Sequence, residues 1–179
     1  SDLTWNRFVH AFSPAESDIL VFVDADIEFG ANDVLERLVE TLQADPGAWA
    51  AVSRPLKDIA RKERRSGVEQ LSLAGSAAGE ADPAQLCGAL YAGRAAFMRR
   101  MVVPRGLLVE DGFLRASMTT DMFREPEAVE RIVRAPGAFH YYEAVTDLRA
   151  LYRHEKRLAV GTEIKIMLSY WAREALRPS

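Results

Sequence analysis

Two aspartates, Asp24 and Asp26, follow the apolar run Ile19-Leu20-Val21-Phe22-Val23, with Ala25 between them. An uninterrupted apolar run is expected as a fully buried strand, and open α/β sheets bind ligands outside the carboxyl ends of their strands. Two carboxylates at that edge suit a hard divalent cation, because magnesium and manganese prefer oxygen ligands. Magnesium is commonly held by one or two carboxylates together with substrate phosphates. The plainer reading is a solvated turn after a strand, where Asp is frequent. A second acidic pair, Glu110-Asp111, sits where a helix is expected to begin, a position that favours acids through the helix dipole alone.

Those acids need elements to hold them. Residues 3–12 read as a helix with Trp5, Phe8, Val9 and Phe12 on one side, ended by Ser13-Pro14. After the apolar strand, Gly30 and Asn32 mark a helix start, and Val34, Leu35, Leu38, Val39 and Leu42 recur at helical spacing up to Asp45-Pro46-Gly47. Residues 49–52 read as a further strand, which gives the strand–helix–strand order of a parallel α/β sheet. The basic stretch from Arg54 to Arg65, interrupted by Asp58 and Glu63, is expected as an exposed helix; its charge also suits an anionic acceptor or a membrane surface.

Further on, residues 75–83 read as loop, 86–92 as a strand, 94–101 as a helix stopped before Pro104, and 110–118 as another helix. Residues 129–133 and 138–142 are expected as a pair of strands about Pro136-Gly137. Thr146 or Asp147 can cap a final helical region, with Leu148, Leu151 and Tyr152 on one face and a bend at Gly161. Trp5, Trp49 and Trp171 are expected in the core.

The chain has 179 residues, 49% apolar and 27% charged, within the range of one globular domain able to bury a core. Its formal charge of −3, with no long block of one sign, argues against a dedicated nucleic-acid binder. The single cysteine, Cys87, has no internal disulfide partner and points to a reducing compartment. No segment reaches the roughly 18–20 apolar residues needed to span a bilayer. The first residues lack the basic and apolar regions of a signal peptide, so a cytoplasmic domain is expected.

Several features occur in a fixed order: Asp24-Ala25-Asp26, then Cys87-Gly88-Ala89-Leu90-Tyr91-Ala92-Gly93-Arg94, then Glu110-Asp111-Gly112-Phe113-Leu114, then His154-Glu155-Lys156-Arg157-Leu158. In that order the chain resembles the later part of a family 2 glycosyltransferase of the GT-A fold. Such enzymes carry a DxD-type motif after an apolar strand, a glycine-containing strand leading to an arginine, an E-D pair and a Q-x-x-R-W element. The Trp5-Asn6 helix is similar to the K-x-x-A-x-N segment that precedes the metal motif. The resemblance covers nearly all of this chain, and the βα units that hold the nucleotide base in the family have no counterpart in it. Of Q-x-x-R-W only Arg157 is kept; His154 and Leu158 stand at the glutamine and tryptophan positions. That departure leans away from a processive polymer synthase and toward single-sugar transfer.

The resemblance implies an α/β fold with a GT-A-like, Rossmann-like mixed sheet flanked by helices, truncated relative to the family. It implies one partial domain over residues 1–179: a metal-motif part (1–56), an acceptor and catalytic part (57–145) and a C-terminal helical region (146–179). The implied activity is metal-dependent, inverting transfer from a nucleotide-diphosphate sugar to an acceptor hydroxyl, with Mn2+ or Mg2+ as cofactor. Asp26 is implied as a direct metal ligand and Asp24 as the holder of the ribose or of the metal's water shell. Asp111 is implied as general base and Glu110 as its helper.

His140 is implied as a third ligand, although a lone histidine on an apolar strand is more often packed or hydrogen-bonded. Arg157 is implied to face the diphosphate, although so basic a helix also presents a solvated face. Gly88 and Gly93 would let the backbone approach a substrate, or mark a bulge. The acceptor is left open among a glycan, a lipid carrier and a small metabolite, with peripheral contact at the inner face of a membrane as a family habit. An unpaired sheet edge would favour homo-oligomers. Two other readings remain at this stage. One is an inactive transferase domain acting as a binding or oligomerisation module. The other is a haloacid-dehalogenase-type phosphatase, whose usual Gly-Thr after the acids is replaced here by Ile27-Glu28-Phe29.

Overall fold

The computed structural model describes residues 2–62, 66–67, 69–70, 73, 85–107, 109–145 and 147–175. The strands are β1 (Ile19–Val23), β2 (Ile27–Phe29), β3 (Ala50–Lys57), β4 (Leu90–Arg94) and β5 (Ile132–Tyr142). They form one mixed sheet in the order β1-β4-β3-β5-β2. β3 and β5 pair in parallel, whereas β4 runs antiparallel to both β1 and β3, and β2 antiparallel to β5. The helices are α1 (Asp2–Arg7, continued by a wider turn over Phe8–Phe12), α2 (Val34–Ala44), α3 (Ala95–Met98), α4 (Glu110–Thr119) and α5 (Leu148–Ala175).

Side-chain alternation sorts the strands between two cores. Ala50, Val52 and Tyr91 face one cluster, with Trp5 and Val9 from the first helical segment, Met98 from α3, and Leu114 and Met118 from α4. Ala51, Leu90 and Ala92 face the other, against Val34, Leu38 and Leu42 of α2. Helices thus cover both faces, which explains why residues 90–93 of β4 are all buried. Two polar clamps fix the layers. Arg94 donates from Nε to the Ala48 carbonyl (2.7 Å) and from one terminal nitrogen to those of Leu42 (2.6 Å) and Asp45 (2.9 Å), tying β4 to the end of α2. The Asn6 amide bonds both the N–H (2.9 Å) and the carbonyl (2.8 Å) of Val103, which docks the first helix on the loop after α3.

The structure corrects several sequence expectations. β1 is an edge strand: of its five residues only Leu20 is buried, and Val23 is 47% exposed. β1 and β3 do not pair directly, because β4 lies between them. Residues 86–89 are the turn that feeds β4 rather than part of it. The expected strand pair about Pro136-Gly137 is the single strand β5. Between Val52↔Arg134 and Arg54↔Phe139, β3 advances two residues and β5 five, so the Pro-Gly segment is a bulge on one strand.

Helix faces differ too. Phe12 and Trp171 are 72% and 70% exposed, and Leu148 and Tyr152 also face solvent. Gly161 does not bend α5: it is buried within a continuous helix and lies against Val109, whose Cβ would be 2.9 Å from an added methyl. Lys57 closes β3, and residues 58–61 form a short 3-10 turn in place of the start of an exposed helix. The expected loop at 75–83 and the Thr146 cap lie outside the described residues. Asp147 does cap α5, accepting the Ala150 N–H at 2.7 Å.

Candidate functional site

The β1–β4 ladder brings the two acidic motifs together. Asp24 donates its backbone N–H to the Ala89 carbonyl (2.8 Å), one step beyond the end of β1, and so lies beside the Gly88–Ala89 turn. Asp111, in the first turn of α4, meets that turn from the other side, its carboxylate accepting the Gly88 backbone N–H. A Cβ at position 88 would overlap Asp111 Oδ1, so the carboxylate occupies space that only glycine leaves free.

Asp24, Gly88, Glu110 and Asp111 line one cavity of about 440 Å3 at the carboxyl end of β1. Its apolar wall is an aromatic column. Trp5 and Phe22 stack at 5.7 Å and Phe22 and Tyr91 at 4.5 Å between ring centroids, and Trp5 Nε1 donates to the Tyr91 hydroxyl at 2.7 Å. Trp5 therefore serves the core, as expected, and walls this cavity as well.

The electrostatics follow from crowding and burial. Burial raises the Asp111 pKa most, opposed by the Gly88 N–H and reinforced by the charges of Glu110 and Asp24. Burial also raises Asp24, and Asp26 raises it further. Asp24 and Asp26 are both exposed on the turn between β1 and β2. They offer two hard oxygen donors close enough to feel each other's charge. Among the described residues no group of three or more His, Cys, Asp or Glu side chains forms a ready-made metal cage. A two-carboxylate donor set fits a cation that completes its shell with water and phosphate oxygens.

The remaining candidates lie elsewhere. His140 is fully buried on β5, with Nδ1 2.6 Å from Ser53 Oγ and Nε2 4.0 Å from Cys87 Sγ. Ser53 Oγ donates to the Leu90 carbonyl (3.0 Å), which leaves it to accept from Nδ1–H. His140 thus has a structural hydrogen bond and a thiol neighbour, not the aspartates of the β1 turn. Burial lowers its pKa to about 4 and raises that of Cys87 to about 11, so both are uncharged at neutral pH. Gly93 faces Met98, away from the acids. Arg157 is exposed and lines none of the cavities described here.

Instead Leu151, His154, Glu155 and Leu158 of α5 line a second cavity, of about 670 Å3, together with Lys57, Cys87 and Asp111. Sequence reading missed this set. The i, i+3, i+4, i+7 spacing of those four residues is the signal that would have found it, since it puts them on one helix face. Asp111 lines both cavities.

No helix among the described residues is long and apolar enough to cross a membrane. No family model matches the chain, and no curated protein matches it significantly.

Proposed function

We propose that the chain carries the metal- and acceptor-binding part of a GT-A-like glycosyltransferase. The reaction is inverting transfer of a sugar from a nucleotide diphosphate to an acceptor hydroxyl. One observation carries this reading: Asp24 and Asp111, distant in sequence and each beside a further acid, converge on one cavity at the carboxyl end of an edge strand.

In this scheme Asp24 and Asp26 hold a divalent cation, Mn2+ or Mg2+. When bound, the cation supplies Lewis-acid neutralisation of the diphosphate leaving group. The acceptor oxygen attacks the anomeric carbon while the bond from that carbon to the diphosphate oxygen breaks, its electrons leaving with the phosphate. Asp111 takes the acceptor's proton. The raised pKa of Asp111 suits it to that role, and the Gly88 N–H fixes its orientation. Glu110 tunes Asp111 by its charge. The Trp5–Phe22–Tyr91 column keeps one side of the site apolar.

The test is a manganese titration with UDP and with GDP, read by calorimetry and by water-proton relaxation. The expected result is metal-dependent nucleotide binding, abolished in Asp26→Ala. Absence of manganese binding to the wild-type chain, or manganese binding unchanged in Asp26→Ala, would sink the proposal. A second reading, a binding or oligomerisation module, is favoured by the open edge of β1 and by the exposed Ile166, Met167, Tyr170 and Trp171 on α5.

A further inference from the structure

The second cavity bears on which acceptor meets Asp111. It shares Asp111 with the cavity walled by the aromatic column, and one face of α5 lines it. Apolar atoms supply more of its wall than polar ones, with Leu151 and Leu158 from α5, Val145 before it, and Leu86 and Pro55 from the sheet side. Its volume of about 670 Å3 falls within the roughly 300–1,000 Å3 of small-ligand pockets.

The charges along it are unbalanced. Asp111, Glu143 and Glu155 are acidic, and Lys57 is the one lysine or arginine among its described lining residues. Lys57 sits within reach of the Glu155 charge, so its positive charge is already opposed. A ligand carrying a phosphate or carboxylate would meet three carboxylates and one lysine committed to one of them.

We infer that this cavity binds an uncharged alcohol on an apolar body, its hydroxyl at Asp111, and discriminates against phosphorylated acceptors. The inference rests on the transfer reading for its name, acceptor site, but its chemistry is tested by binding alone. Two sources share that chemistry, a compact aryl alcohol and a lipid alcohol.

The experiment is methyl-resolved NMR titration of the intact chain, following Val145, Leu151 and Leu158, with matched probes. These are 4-phenylbutan-1-ol, 1-decanol and 4-phenylbutyl phosphate. Both alcohols, or either, are expected to shift these methyls, with the phosphate ester binding more than about tenfold more weakly than its parent alcohol. The tighter alcohol assigns the source. Leu158→Asp is expected to abolish the shifts, and Glu143→Lys, at an exposed position, to narrow the preference for alcohol over phosphate. Equal or tighter binding of the phosphate ester would overturn the inference, as would no shift with either alcohol. Alcohol binding without manganese binding would keep the cavity and remove the transferase; the reverse pattern would do the opposite.

Discussion

At the scale of single residues, the contact between Gly88 and Asp111 is the most constrained in the site. Glycine at 88 is required by space, since an added methyl overlaps a carboxylate oxygen. Gly88→Ala is therefore expected to destabilise the fold by about 1–3 kcal/mol. Asp111→Ala should relieve part of that loss, giving a coupling energy of about 1 kcal/mol in a double-mutant cycle read by urea denaturation. Additive effects would show that the two residues do not press on each other.

His140 gives a second residue-level expectation. Its folded pKa, about 4, lies below the ordinary 6.5, so the unfolded chain takes up a proton first as pH falls. Stability is full above pH 6.5 and is lost progressively down to about pH 4, by about 3 kcal/mol. The loss should be absent in His140→Asn, whose amide can still donate to Ser53; chemical denaturation at several pH values reads it out. Asp111 gives a third. Removing the Glu110 charge lowers the Asp111 pKa, so Glu110→Gln should move the Asp111 carboxyl titration, followed by NMR, to lower pH. An unmoved titration would show that the Glu110 charge does not act on Asp111.

At the scale of elements, α5 is held by a close approach. Glycine inside a helix normally costs about 1 kcal/mol relative to alanine, so Gly161→Ala would stabilise an open helix. Here the methyl would run into Val109, a β-branched side chain with few places to go. The expected sign is reversed: Gly161→Ala destabilises by about 1–2 kcal/mol, and Val109→Ala restores much of it in thermal melts.

This scale also separates what the sequence disclosed from what it concealed. The β1 strand, the helix α2 and the helix opening at Glu110 were legible, because each carries its periodicity within a few residues. The Pro136-Gly137 bulge was misread as a hairpin turn, since Pro-Gly marks either and only the shared partner β3 distinguishes them. An apolar run likewise does not say whether both its edges are paired, so β1 looked central. Asp24, Glu110 and Asp111 could be singled out by type and position. The cavity face of α5 was obscured because charged residues are interleaved with it; Arg157, the residue kept from the family element, is exposed and absent from the cavity lining.

At the scale of the whole molecule, the sheet among the described residues ends at β1, with that strand's hydrogen-bonding capacity half used. Asp24 and Asp18 both bond to β4, so the even-numbered residues face inward. The N–H and C=O groups of Ile19, Val21 and Val23 therefore point outward, along a strand with no charge, proline or bulge to guard it. Strand addition by a second copy is the expected result. Light scattering should show mass rising with concentration for the wild type, and Val23→Lys should suppress the rise. A mass independent of concentration would leave the edge without that role.

The wall shared by the two cavities has a consequence for thermodynamics. Asp111 stands between them, so each binding event alters its affinity for a proton. An apolar molecule that expels water from the larger cavity makes the carboxylate harder to keep ionised, and binding then draws protons from the buffer. Positive charge arriving beside Asp24 acts in the opposite sense and sends protons back. The two ligands would report on one another through a proton count, of opposite sign, without ever touching.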